Sequence, residues 1–185
     1  MAAVLKDCDI PAHVESNTGY FSSYEIQVIL SMLRILDNPL QDIPMAAVLA
    51  SPIVGMDDEE LAQIRSAFKG VSFAQAALSA MAGENGYEDE KLKAFALVFE
   101  RLRGAVADTP IHELLYMMLD ETGFYRYASA MPAGKRRRQN IDMLIEMAAA
   151  YGKDQLQGAV SLCQVHRYTA EIRDRLRRGR YRRRE

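Results

Sequence analysis

The sequence predicts an all-α fold, an irregular helical bundle of about eight helices. Apolar residues recur at helical spacing along nearly the whole chain. No segment sustains the alternation of a strand pattern, and Ser or Asp followed three residues later by Glu or Gln opens three of the helical stretches. Apolar residues form 49% of the 185 positions, enough for a real core at this length.

Taken in order, Val4, Leu5 and Ile10 read as the end of a helix running into a turn at Pro11. Ala12 to Glu15 fits a short extended piece, and Asn17, Thr18 and Gly19 form a loop. Ser22 with Glu25 then forms a capping box for a helix whose apolar face is Ile26, Ile29, Leu30, Leu33 and Leu36. Val28 and Met32 widen that face, which marks a deeply buried helix ending before Asn38-Pro39. Pro44 suits the first turn of a short helix through Leu49, and Pro52 with Gly55 punctuates the next turn. Asp57 with Glu60 starts a helix to about Phe68, and Ser72 with Gln75 starts another, with Val71 as its staple residue. A polar turn over Gly83 to Gly86 precedes a helix from about Asp89 to Ala107, with Leu92, Phe95, Ala96, Phe99 and Leu102 on one face.

Thr109-Pro110 caps a helix whose residues Ile111, Leu114, Leu115, Met118 and Leu119 form a buried stripe ended by Gly123. Residues Met131 to Gly134 form a loop. A helix with Ile141, Leu144, Ile145 and Ala148 inward follows, ending near Gly152, and a last helix runs from about Gln155 into the basic tail.

Composition excludes several functions. No run is apolar enough for a membrane span, and the N-terminal residues are too short and polar a stretch for a secretory signal, so a cytoplasmic protein is expected. Cys8 and Cys163 fit no metal or redox spacing. His13, His112 and His166 lie in separate elements without a local ligand or catalytic partner. The chain has no glycine-rich phosphate loop and no nucleophile elbow. Acidic runs such as Asp57 to Glu60 sit where a helix dipole welcomes them. No cofactor and no catalytic residue is expected within this chain.

The net charge of −2 hides an asymmetry: residues 135–185 carry 14 Lys/Arg against 6 Asp/Glu, while residues 1–134 carry 9 against 19. An acidic body with a basic end points to nucleic acid or to a solvated tail. Lys135-Arg136-Arg137-Arg138, in a loop or at a helix start, are the best candidates for phosphate contact, with Asn140 as an added hydrogen-bond donor or merely a cap. The arginines at 167, 173, 175, 177, 178, 180, 182, 183 and 184 would bind any polyanion without specificity. Tyr20 and Phe21 could stack on a base, but core packing is the simpler role for an aromatic pair before a helix.

Several motifs resemble one family. The run Gly19-Tyr20-Phe21-Ser22-Ser23-Tyr24-Glu25-Ile26, then Asp37-Asn38-Pro39-Leu40-Gln41-Asp42-Ile43-Pro44, then Ser51-Pro52-Ile53-Val54-Gly55, looks like the AddA-type helicase/nuclease proteins. Downstream, Asp120-Glu121-Thr122-Gly123-Phe124-Tyr125 is similar to the family's Asp-Glu-Thr-Gly-Tyr-Tyr segment. Met131-Pro132-Ala133-Gly134 with Arg137, Asn140 and Ile141 resembles its Leu-Pro-Gly-Gly…Arg-x-x-Asn-Leu segment. The matches extend to about residue 150; residues 158–168 depart from the family's aromatic-rich helix, and an Arg-rich end follows where the family continues to a helicase motif. Truncation and frameshift both remain open there.

The resemblance implies a non-catalytic piece of an ATP-dependent DNA helicase/exonuclease of the UvrD-like class. ATP and Mg would belong to other parts of such a protein. Residues 1–38 would be the edge of the second motor domain, 39–170 the helical accessory subdomain inserted in it, and 171–185 a basic tail. Such a subdomain contacts duplex DNA near the junction during double-strand-break processing, beside the remaining AddA domains and an AddB-like partner protein. Without the motor domain, apolar surface on residues 1–40 should be exposed and favour self-association. The competing reading is a helical protein–protein interaction module with no DNA role of its own.

Overall fold

A computed structural model describes residues 20–154 of the chain. The expected first helix, the extended piece at 12–15, the last helix from Gln155, both cysteines, His13, His166 and the arginine tail lie outside the described residues.

Among the described residues the fold is all-α. Its helices are α1 (Tyr24–Asp37), α2 (Asp42–Leu49), α3 (Asp58–Ala67), α4 (Phe73–Met81), α5 (Glu90–Ala105), α6 (Ile111–Thr122), α7 (Phe124–Ala130) and α8 (Gly134–Asp154), with one 3-10 turn at Glu84–Gly86. Helix α1 packs against α2, α5 and α8. Helices α2 to α5 build one side of the bundle through α2–α4, α3–α4 and α4–α5 contacts, and α6, α7 and α8 pack on one another to form the other.

The predicted apolar stripes are the observed core. Ile111, Leu114, Leu115, Met118 and Leu119 are all buried, as are Ile141, Leu144, Ile145 and Ala148. On α5, Leu92, Phe95, Phe99 and Leu102 are buried and Ala96 lies at the margin. One hydrophobic cluster runs from Tyr20 to Ala148, so side-chain burial links the first described helix to the last.

The turn motifs have local physical reasons. Asn38 accepts a hydrogen bond from the Leu40 backbone N–H at 3.0 Å, and the Gln41 amide donates to the Arg34 carbonyl at 3.3 Å. Asp42 accepts from the Ala74 N–H at 2.9 Å, fastening α2 to the start of α4. Ser51 is buried, donates to the Val48 carbonyl at 2.7 Å and accepts from the Ile53 N–H, so Ser-Pro-Ile-Val-Gly is a turn locked by its own serine. Helix α2 begins at Asp42, two residues before the expected start, with Pro44 still in the first turn where its missing N–H costs nothing.

The Asp57–Glu60 capping box is complete, both bonds being 2.8 Å, and Ser72 accepts from the Gln75 N–H at 3.3 Å. The Ser22–Glu25 box does not form: Ser23 is the cap residue of α1 and Glu25 turns into the protein. A second correction concerns α1 itself. Ile26, Ile29, Leu30 and Leu33 are buried here, so the apolar face expected to drive self-association is already covered.

Gly123 ends α6 in the left-handed region at φ 63°, and α7 starts directly after it with Phe124 driven into the core. The apolar spacing predicts no separate helix over 124–130, so α7 is an addition. Ala133, just before α8, also sits at a positive φ of 60°. The resembling segment of the AddA-type proteins carries glycine at this position. Left-handed backbone costs an alanine roughly 1–2 kcal/mol, partly offset by the extra freedom glycine has when unfolded. Ala133→Gly should therefore raise stability by about 0.5–1 kcal/mol, read as a higher urea midpoint at unchanged m-value.

Candidate nucleic-acid interface

The basic run Lys135-Arg136-Arg137-Arg138 forms the first turn of α8. Its four cations divide. Lys135, Arg136 and Arg138 are exposed and form no ion pair or side-chain hydrogen bond among the described residues. The turn holds no acidic side chain. Cations at a helix N-terminus oppose the helix dipole at roughly 0.3–1 kcal/mol each, so this arrangement costs stability unless an anion arrives.

Arg137 and Asn140 point the other way. The Arg137 Nη1 lies 2.5 Å from Glu25 Oε2, and its Nε donates to the Pro132 carbonyl at 3.1 Å. The Asn140 amide donates to Glu25 Oε1 at 2.6 Å, and the Tyr20 hydroxyl donates to the Asn140 carbonyl at 2.9 Å. Glu25 is only 1% exposed. Burial pushes its carboxyl up, but the bonds from Asn140 and its own backbone, with the Arg137 charge, outweigh burial and hold it below the ordinary carboxylate range. Of the five residues singled out from sequence, three face solvent as a cluster and two form a clasp between α8 and the start of α1.

Glu25 is the residue that sequence reasoning misplaces. Its position carries a usable signal: it shares a helix face with Val28, Ile29 and Met32, and a carboxylate among apolar neighbours needs a buried partner. Tyr20 and Phe21 take the packing role, both 8% exposed and in edge-to-face contact at 4.9 Å.

Tyrosines surround the same turn. The Tyr24 hydroxyl is raised by burial and by Tyr127 beside it, against Arg137, which lowers it. The Tyr125 hydroxyl donates to Asp142 Oδ1 at 3.1 Å. Burial, that bond and the Asp142 charge raise it, with Arg138 opposing and Tyr116 adding a little. Elsewhere, the half-buried His112 places Nε2 3.9 Å from Glu113 Oε1. Among the described residues no three His, Cys, Asp or Glu side chains gather as a metal site, and no helix is long and apolar enough to cross a membrane.

No family profile matches the chain. Individual proteins do. The ATP-dependent helicase/nuclease protein AddA of Anoxybacillus flavithermus is 40% identical over 152 residues, which is 81% of this chain and 12% of that protein. The protein of the same name from Bacillus cytotoxicus is 39% identical over 158 residues, 83% of this chain and 13% of its own length. That of Oceanobacillus iheyensis is 35% identical over 160 residues, 85% of this chain and 13% of its own. The chain belongs to the AddA family. It spans about an eighth of the length of the curated relatives it matches. Against that background the AddA-like motifs acquire structural roles. Tyr20 and Glu25 of the first motif meet Arg137 and Asn140 of the last, more than 100 positions away. Thr122 and Gly123 of the middle motif make the α6–α7 turn, the Thr122 hydroxyl donating to the Met118 carbonyl at 2.6 Å.

Proposed function

We propose that this chain is a non-catalytic accessory piece of an AddA-like ATP-dependent DNA helicase/exonuclease, and that it contacts duplex DNA near the junction in double-strand-break processing and recombinational repair. The observation that supports this best is the first turn of α8, where Lys135, Arg136 and Arg138 stand exposed with no acid to balance them. Phosphate oxygens would supply the missing negative charge, both to the side chains and to the helix N-terminus. Arg137 and Asn140 act indirectly in this reading, by fixing the turn through Glu25.

Residues 39–170 form the accessory subdomain in this proposal, residues 1–38 its connection to the second motor domain, and the remaining AddA domains and an AddB-like protein its partners. ATP, Mg and the nuclease centre belong to those other parts. A protein–protein role has one observation in its favour: Leu40 is 55% and Ile43 84% exposed at the start of α2, an apolar surface suited to a partner.

Fluorescence anisotropy with a labelled duplex carrying a single-stranded tail tests the DNA reading. Changing Lys135, Arg136 and Arg138 together to alanine should weaken binding and lower the slope of log K against log salt by about two to three. Unchanged affinity and slope, or binding abolished only by removing residues 173–185, would leave the α8 turn without a DNA role and favour the partner-binding module.

A further inference from the structure

Every exposed aromatic side chain among the described residues lies around α7, beside the basic turn. Tyr24 of α1 is 43% exposed, Tyr116 of α6 58% and Tyr127 of α7 45%. Tyr125, half-buried, adds a fourth ring from α7. These come from three different helices, so only the packing of α1, α6, α7 and α8 brings them together. Tyr24 and Tyr127 stand on one flank of α7 with Arg137, and Tyr116 and Tyr125 on the other with Arg138. Between the flanks Arg126 faces solvent, because Phe124 and Ala128 take the inward positions of this short helix.

Isolated exposed tyrosines are ordinary. Collection of all the exposed rings at one place, next to three unpaired cations, is not what a merely solvated surface produces. Guanidinium and ammonium groups hold a phosphate backbone, and rings in the same strip offer stacking faces to bases that are not paired. A base pair within a duplex has no free face to give them. We propose that the strip across α7 binds single-stranded DNA, with bases stacked on Tyr24, Tyr127 and Tyr116 and phosphates held by Arg126, Lys135, Arg136 and Arg138. The width of one helix, roughly 10 Å, sets a footprint of about two to three nucleotides. This inference rests on the DNA-contact reading above and deepens it, assigning the unpaired strand of a junction to α7 and the paired strands to the α8 turn.

The experiment compares the full chain with Tyr24→Phe/Tyr116→Phe/Tyr127→Phe and Tyr24→Ala/Tyr116→Ala/Tyr127→Ala variants, by anisotropy on an oligothymidine and on a blunt duplex. Tyr125 is left intact because it bonds to Asp142. The Arg-rich residues 173–185 are present in all three proteins, so their contribution cancels. The alanine variant should lose about tenfold in affinity for the single strand, keep its duplex affinity within about twofold and keep its salt slope, while the phenylalanine variant should bind both as the parent does. Duplex binding with no loss of single-strand affinity in the alanine variant overturns this inference alone. Failure of the parent chain to bind either DNA overturns the DNA-contact reading together with it.

Discussion

Replacing Arg137 with alanine is expected to lower the free energy of unfolding by about 3 kcal/mol, at the low end for breaking a buried ion pair because its own side chain keeps 24% of its surface exposed. The loss comes from what is left behind. Glu25 stays at the start of α1 with one oxygen held by Asn140 and the other stripped of its charge-assisted partner. Removing both ends of the pair should cost less than removing Arg137 alone, since no uncompensated charge remains. Urea unfolding of Arg137→Ala, Glu25→Gln and the double variant Glu25→Gln/Arg137→Ala measures this, and additive losses would show that the pair is not coupled. The direction of the Glu25 shift adds a pH signature. A carboxyl held below its ordinary value of 4.5 contributes stability above that value and loses it as pH falls through the lower folded value. The stability difference between the parent chain and Glu25→Gln should therefore shrink as pH drops from about 6 to about 3.

Gly134→Ala carries the other large effect. A Cβ built at Gly134 would stand 1.9 Å from the Ser129 carbonyl oxygen and 2.7 Å from its carbon, both backbone atoms that cannot rotate away. The α7–α8 connection would have to open, and overpacking of this kind costs roughly 1–3 kcal/mol, here at the upper end because backbone must move. The same displacement would shift the first turn of α8 away from Glu25. Loss of stability in thermal unfolding should thus be accompanied by weakened DNA binding, even though no cation has been changed. If Gly134→Ala melts with the parent protein, the close approach of Ser129 and Gly134 is relaxed at little cost.

The helical class is legible because the apolar spacing is regular, most plainly in α6 and α8, where each residue expected inward is buried. Capping signals are legible where a single helix decides them, as at Asp57 and Ser72. The Ser22–Glu25 pattern matches the same local rule and misleads, because a tertiary partner outcompetes the cap. Nothing within a few positions of Glu25 reveals Arg137 and Asn140, which lie 112 and 115 residues away. Helix α7 is hidden for a different reason: at seven residues it is too short to display a period, and its existence follows from Gly123 reversing the chain. The candidate site is legible as a charge run but not as a divided one. Sequence shows four neighbouring cations; only the rotation of α8 separates the three that meet solvent from the one that meets Glu25.

The clasp between Glu25 and α8 fastens the entry of this helical segment to its exit. A pull applied between these two helices meets the ionic contact and the shared apolar packing side by side, before it reaches the α2 to α7 helices strung between them. The intervening segment is thereby shielded from stretching and inherits displacement as rotation of a whole body. A piece built in this way works as a lever whose two attachment points turn as one hinge pin, and its stiffness is set by one carboxylate.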